Sequence, residues 1–589
     1  MKPTHALYHL HLLGRYLRPQ WPKALLMATL LLTSIGLQLF TPQLLRRFID
    51  LSADGAEPGV LLRTAGLFLA LALCNQLLSA WATYSSADVA WTATNALRLE
   101  LSQHCLRLDM GFHNARTPGE FIERIDGDVS ALANFFSQFS VRIVGSMLLL
   151  MGIVVLLWRE SPMVGALLGL FIVLVLLLLN RGRAMAVPAS HDEREVSAKL
   201  LGFIEERLAG IEDIRANGGG AYTMQRFHGV MRQFFVKGSR AWLMRLRIWL
   251  LSFSFFSLGT VLTLAAAVYL FQQGRVTLGT AYLFFQYMLM LEAPIEHLTQ
   301  QLSDLQKATA AIGRVTELLQ TESRLPLAGD KQLPAGALPL SLNKVSFAYD
   351  DKAVLEDISL QLAPGEVLGV MGRTGSGKST LSRLLLRFYE PSSGSVRMAG
   401  LSVAEIAPAS LYARVALVSQ EVQLFHASVR DNLSFFNPDM PDARMVAVLE
   451  QLGLGDWLHN LPQGLDSLLR TGGSGLSAGE AQLLAFARVF LKDPGLVILD
   501  EPSSRLDPAS EMRLERALDS LLQGRSAVII AHRLATLQRA DKILLLQDGC
   551  VLEYGSRSSL AANPHSHYHR MLTLSRHPEP LAQVPALLH

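Results

Sequence analysis

The sequence predicts a two-part chain, an all-α membrane domain of six helices followed by an α/β domain built around a phosphate-binding loop. Three observations predict it. Six apolar stretches of membrane-spanning length fall in the first half of the 589 residues. A glycine loop of phosphate-binding pattern follows the apolar stretch 367–371. A second apolar stretch, 496–499, runs into two carboxylates, Asp500 and Glu501.

Composition agrees. The chain is 50% hydrophobic and 17% charged, with mean hydropathy +0.28, and its length allows two domains. The net charge of +3 fits a basic loop facing the cytoplasm and requires no nucleic acid. Cys74, Cys105 and Cys550 are scattered, without metal-ligand spacing or a disulfide framework.

Residues 1–22 come first. Ala6, Leu7, Leu10 and Leu13 recur at helical spacing with His and Arg between them, which predicts an amphipathic helix along the membrane surface. No short apolar core with a small-residue cleavage site precedes Pro22, so no cleaved signal peptide is expected.

The membrane domain is expected over 23–320, with spans at 24–45, 60–84, 132–158, 163–180, 248–271 and 278–298. A bilayer core of about 30 Å needs roughly 20 apolar residues in a helix. Residues 159–162 and 272–277 are short turns, whereas 85–131 and 181–247 are long, polar and helical in pattern. The second carries Arg181, Arg183, Arg194, Arg226, Arg232, Lys237 and Arg240. The positive-inside tendency places both long segments, and both termini, in the cytoplasm. Arg46 and Arg47 at the outer end of the first span oppose it, either lining the interior or reaching outward.

Glu292 and Glu296 are four apart and share a helix face. Carboxylates at membrane depth are costly, so they attract a cationic ligand or make structural pairs. Met288, Met290, Trp81, Trp91 and Tyr287 either line an adaptable cavity or pack. Helical pattern persists to 319, and 321–339 is a polar linker with Pro and Gly. The α/β domain is expected over 340–575, and 576–589 forms a tail.

In that domain Gly372, Arg373, Thr374, Gly375, Ser376, Gly377, Lys378 and Ser379 fit G-x-x-x-x-G-K-[ST], with Thr380 following. Glycines let backbone N–H groups wrap phosphates, and a helix N-terminus adds a favourable dipole. Lys378 is suited to the β/γ-phosphates and the Ser379 hydroxyl to Mg²⁺. Asp500 is suited to the same metal, and Glu501 to a general-base role toward an attacking water.

Between loop and acids stand Leu476, Ser477, Ala478, Gly479 and Glu480. With these the chain resembles the ATP-binding cassette (ABC) family, whose signature is Leu-Ser-Gly-Gly-Gln. The resemblance implies that Tyr349 stacks on adenine and that Gln420 senses Mg²⁺. It further implies that Ser504 and Asp507 lie in a loop crossing the dimer interface, and that His532 contacts the γ-phosphate. Two such domains pair head to tail in the family, each ATP lying between one phosphate loop and the opposite signature.

This chain departs from the family in the signature. Ala478 replaces a glycine, Glu480 replaces glutamine, and Ala481 and Leu483 stand where arginines are usual. An intact phosphate-and-base half beside an altered signature resembles the heterodimeric exporters, while a homodimer that tolerates the changes stays open.

The first half resembles the six-helix domain of ABC exporters. Residues 110–119 match the first coupling segment, and 213–221, with a triple glycine, sit where the second belongs. The resemblance implies a multi-pass half-transporter of the bacterial inner membrane, in contact with membrane lipid and paired with a second half-transporter. It would hydrolyse ATP with Mg²⁺ to export a hydrophobic or amphiphilic small molecule of the drug or lipid class. Import of a metal chelate, or export of a specific small metabolite, is the alternative. Soluble ABC ATPases of repair or translation are excluded by the spans, and a processing peptide exporter by the lack of room for a protease domain before residue 24.

Overall fold

Long runs of Leu, Val and Phe wind into helices that a water-exposed protein could not leave uncovered. The chain, described by a computed structural model, divides into two units, Met1–Arg107 with Arg116–Glu322, and Leu108–Ala115 with Ser323–His589. The described residues are 14–16, 18–325, 329–350, 352–470, 476–500, 508–531 and 533–576. Most of the predicted surface helix, at residues 5–16, therefore lies outside them.

The first unit is all helical: α1 (Trp21–Ala53), α2 (Pro58–Arg107), α3 (Pro118–Glu160), α4 (Pro162–Ala209), α5 (Ile211–Ala216), α6 (Gly220–Gln272), α7 (Leu278–Met290) and α8 (Glu292–Gln320). The first four and α6 are long and apolar enough to cross a membrane. Their apolar side chains largely face outward. The most apolar window of α2 has no buried residue, and Leu62, Leu77 and Leu170 are 76%, 73% and 68% exposed. Such surface is stable against hydrocarbon and costly against water, at roughly 25 cal/mol per Å². The helices pack through a buried cluster that includes Ile153, Leu157, Val164 and Leu283.

The sixth predicted span, 278–298, is not one helix. It breaks at Leu291, whose N–H turns back to the Met288 carbonyl at 3.2 Å. Pro294 explains the break, because it has no N–H for the Met290 carbonyl and its ring crowds that oxygen. Arg46 is also resolved: Glu160 holds its guanidinium at 2.6 Å and Asp50 lies at 3.8 Å. The triple glycine ends α5 in a Schellman arrangement. Gly218 takes the left-handed conformation (φ +65°), and the Gly219 and Gly218 N–H groups return to Ile214 (2.8 Å) and Arg215 (3.3 Å).

The second unit has two sheets. β1 (Leu340–Tyr349), β2 (Lys352–Leu362), β4 (Ser393–Met398) and β5 (Leu401–Ser402) form an antiparallel sheet in the order β2-β1-β4-β5. The larger sheet has the order β10-β9-β3-β8-β7-β6. Its strands are β3 (Val367–Gly372), β6 (Val415–Val418), β7 (Leu496–Asp500), β8 (Ser526–Ile530), β9 (Lys542–Gln547) and the antiparallel edge β10 (Cys550–Ser556). β3, β7 and β8 are apolar almost throughout and buried on both faces, the pattern parallel strands need. Its helices include α9 (Lys378–Leu385), α10 (Ala478–Lys492), α11 (Pro508–Leu522) and α12 (His567–Arg576). The segment Leu108–Ala115 belongs to this unit. Its helix, Met110–Asn114, is capped by Asp109, which accepts from the N–H groups of Phe112 (2.9 Å) and Arg324 (2.7 Å). Burial raises the Asp109 pKa, but these donors outweigh it and hold the carboxyl below its ordinary value.

Candidate functional site

Parallel strands deliver their carboxyl ends to one side of a sheet, where ligands bind. β3 ends there in the glycine loop, and α9 begins at its far side. The loop turns through Gly375 (φ +86°) and Gly377 (φ +97°). At Gly377 a Cβ would also lie 2.5 Å from Leu355 Cδ2, so glycine is required on two grounds.

Lys378 folds back into the loop. Its ammonium donates to the Gly372 and Arg373 carbonyls at 2.8 and 2.9 Å, and the residue is 6% exposed. Burial pushes its pKa below the ordinary lysine value, with Asp500 opposing. The cation is thus held at the loop mouth against two backbone carbonyls, a position that suits a phosphate. Ser379 Oγ donates to Asp500 Oδ2 at 3.5 Å. Both are hard oxygen donors of the type Mg²⁺ takes. Gln420, two residues beyond β6, is exposed at the same sheet end, since β6 runs parallel to β7.

Tyr349 ends β1 and meets Phe347 and Tyr389 edge-on, with centroids 4.8 and 5.1 Å away. Its hydroxyl accepts from Arg383 Nη1 at 3.1 Å. Arg383 and Tyr389 were missed by sequence reasoning. Phe347 carried a readable signal, because residues two apart on a strand share a face; Arg383 and Tyr389 carried none.

The signature serine starts α10. Ser477 is the N-cap and Glu480 the third residue, and together they form a capping box. Glu480 Oε2 accepts from the Ser477 N–H (2.8 Å) and from its hydroxyl (3.0 Å), while Ser477 Oγ accepts from the Glu480 N–H (3.2 Å). The hydroxyl expected to offer itself to a phosphate is engaged inside its own helix end. Leu483, in place of a family arginine, is 1% exposed in the core. Downstream, Arg488 sits over the Phe435 ring at 4.7 Å, and burial pushes its pKa down to about 10. Glu501, Ser504, Asp507 and His532 lie outside the described residues.

Comparison with known proteins agrees with both halves. The ABC transporter transmembrane region matches residues 25–295, and the ABC transporter family matches residues 355–504. The chain is 28% identical over 566 residues to the ATP-dependent lipid A-core flippase of Ralstonia nicotianae, covering 94% of both. It is 31% identical over 490 residues to the protein of the same name from Burkholderia pseudomallei, covering 81% of this chain and 80% of that one. A fatty acid ABC transporter ATP-binding/permease protein of Mycobacterium tuberculosis is 28% identical, with 87% and 82% covered. Among solved structures, a bacterial Atm1-family ABC exporter with ATP bound superimposes with TM-score 0.77 at 22% identity, over 94% of this chain and 98% of that one.

Proposed function

The chain belongs to the ABC transporters, as a half-transporter of exporter type with its membrane and ATP-hydrolysing domains fused, and we propose that it exports a lipid-class amphiphile. The observation that carries the engine is the buried Lys378 in its glycine loop, with Ser379 facing Asp500. In this reading Lys378, the loop N–H groups and the N-terminus of α9 hold the β- and γ-phosphates. Tyr349 stacks on adenine. Ser379, Asp500 and Gln420 hold Mg²⁺, which when bound neutralises charge on the phosphates. Glu501 takes the proton from the attacking water, and His532 contacts the γ-phosphate. Ser504 and Asp507 cross to a partner half-transporter, whose signature completes the site. Residues 110–119 and 213–221 carry closure to the spans as a rigid-body switch.

The lipid class is supported by the relatives, a lipid A-core flippase and a fatty acid transporter. The partner is proposed to be a different chain. What supports this is the self-engaged signature, with Glu480 placing an anion at the helix end that should meet phosphate. This chain's phosphate loop would then form the hydrolytic site with the partner's signature, and its own signature would complete a slow one.

The test is ATPase activity in lipid, for the chain alone and with a second half-transporter. Activity that needs the partner and that Glu501→Gln abolishes, while ATP binding survives, is the expected result. Robust turnover by the chain alone refutes the heterodimer, and turnover by the Glu501→Gln variant refutes the assigned base.

A further inference from the structure

The chain leaves α9 through Arg387, which takes the left-handed conformation (φ +53°), and Ser392 then draws it alongside β1. The Ser392 N–H donates to the Ser346 carbonyl at 2.8 Å, and its Oγ accepts from the Ala348 N–H at 3.3 Å. Tyr389 is thereby set, half-buried, beside the end of β1. Three rings meet there. Phe347 and Tyr389 stand at 89° and 87° to the Tyr349 ring, and their own centroids are 5.5 Å apart. Edge-to-face pairs are favourable beyond the area they bury, because a positive ring edge meets a negative face. With Arg383 on its hydroxyl as well, Tyr349 has its plane fixed from three sides.

Tyr389 has a second engagement. Its hydroxyl accepts from Asn114 Nδ2 at 2.7 Å, and its Cε1 lies 3.8 Å from where a Cβ on Gly111 would stand. Both residues belong to the helix Met110–Asn114, which the chain places between α2 and α3. At the start of that helix Asp109 Oδ2 accepts from the Arg324 N–H at 2.7 Å and from Ser323 Oγ at 3.4 Å. Asp109 therefore holds one end of the helix and Tyr389 the other. A helix of 5 residues is too short to persist on its own hydrogen bonds, so its order depends on these ties. One side chain thus touches both the ring assigned to adenine and the segment assigned to carry closure.

We infer that Tyr389 is a positioning residue that links the base of the bound nucleotide to the helix Met110–Asn114. Adenine stacked on Tyr349 restrains the three-ring cluster, and the Tyr389 hydroxyl passes that restraint to Asn114. The link is reciprocal, since a helix already held by Tyr389 favours the base in return. It deepens the export reading above and rests on its assignment of Tyr349 to adenine.

The test is hydrogen exchange in the full chain in lipid nanodiscs, with and without a saturating non-hydrolysable ATP analogue. The His113 and Ala115 amides report it, because they donate to the Asp109 and Gly111 carbonyls at 3.3 and 3.2 Å and exchange only when the helix opens. In the wild type the analogue should slow them about two- to tenfold, the worth of one neutral hydrogen bond. Asn114→Ala and Tyr389→Phe should each abolish that ratio, and the double variant should do no more than either alone. Tyr349→Leu, with the analogue raised until it saturates, should abolish it too. A bond that only supports the helix would quicken exchange equally with and without nucleotide. A wild-type ratio kept in Asn114→Ala and Tyr389→Phe therefore overturns the link, and a ratio kept in Tyr349→Leu overturns the role of the base. Binding of a fluorescent ATP analogue is read on the same wild-type sample. Its absence counts against the transporter reading, whereas binding with no change in exchange counts against this link alone.

Discussion

Glu480→Gln tests whether the altered signature governs ATP use. The amide oxygen can still accept from the Ser477 N–H, so the cap persists and only the charge is lost. In the nucleotide-free chain that loss is unfavourable by about 0.3–1 kcal/mol, the usual value for an anion at a helix N-terminus. With nucleotide the sign reverses. Ser477 Oγ lies 3.0 Å from Glu480 Oε2, and a phosphate accepting from that hydroxyl adds an ordinary hydrogen bond of about 2.8 Å. The phosphate oxygen is therefore within about 6 Å of the carboxylate, and the hydroxyl has one proton for both. A unit-charge repulsion at that distance is about 0.7 kcal/mol in water and about 3 kcal/mol at an effective dielectric of 20. Relieving it should lower the ATP concentration for half-maximal turnover by roughly three- to a hundredfold. The assay is ATPase rate against ATP concentration in lipid, with Glu480→Ala as the variant that loses cap and charge together. An unchanged or raised half-maximal concentration in Glu480→Gln would refute the argument that the carboxylate opposes phosphate.

Other expectations follow from the same structure. Gly377→Ala forces a left-handed residue to carry a methyl 2.5 Å from Leu355; strain of about 1–3 kcal/mol should weaken fluorescent-ATP binding by tenfold or more. Asp128, 2% exposed in a π-helical turn, is gripped by Arg314 through Nε (2.8 Å) and Nη2. Asp128→Asn should cost about 1.5–3 kcal/mol and lower the apparent melting temperature, and no change would show the pair to be idle. Glu553 caps α12, accepting from Ser566 Oγ (2.9 Å) and from the N–H groups of His567 (2.6 Å) and Tyr568 (3.1 Å). Burial raises its pKa, yet these donors carry it below the ordinary 4.5. A depressed carboxylate stabilises fully above its unfolded value, and that stabilisation fades as pH falls through the native one. The protection of α12 against hydrogen exchange, corrected for the intrinsic rate, should therefore fall below pH 4.5 in the wild type, and Glu553→Ala should lack that protection already at neutral pH.

What was legible in the sequence was what is local. The phosphate loop is a run of adjacent residues between a strand and a helix, so composition and order sufficed. The break at Leu291 was also readable, since Pro294 stood inside the predicted span, but hydropathy alone does not register a missing N–H. By contrast Arg46 and Glu160 are 114 residues apart, and nothing near Arg46 announces its partner. Arg383 reaching Tyr349 is the same case, a contact between side chains 34 residues apart.

The signature shows why local and long-range readings have to be kept apart. Ser477-Ala-Gly-Glu480 satisfies the capping-box pattern by spacing alone, and the structure forms that box. To the helix, Glu and Gln are nearly equivalent, because either side chain has an oxygen to accept the Ser477 N–H. They differ in charge toward whatever meets the helix end, and in whether a carboxylate competes for the serine proton. The departure at Glu480 therefore leaves folding almost untouched and acts on the encounter with nucleotide. That is why Glu480→Gln should lose no more than about 1 kcal/mol of stability while its ATP dependence moves in the favourable direction.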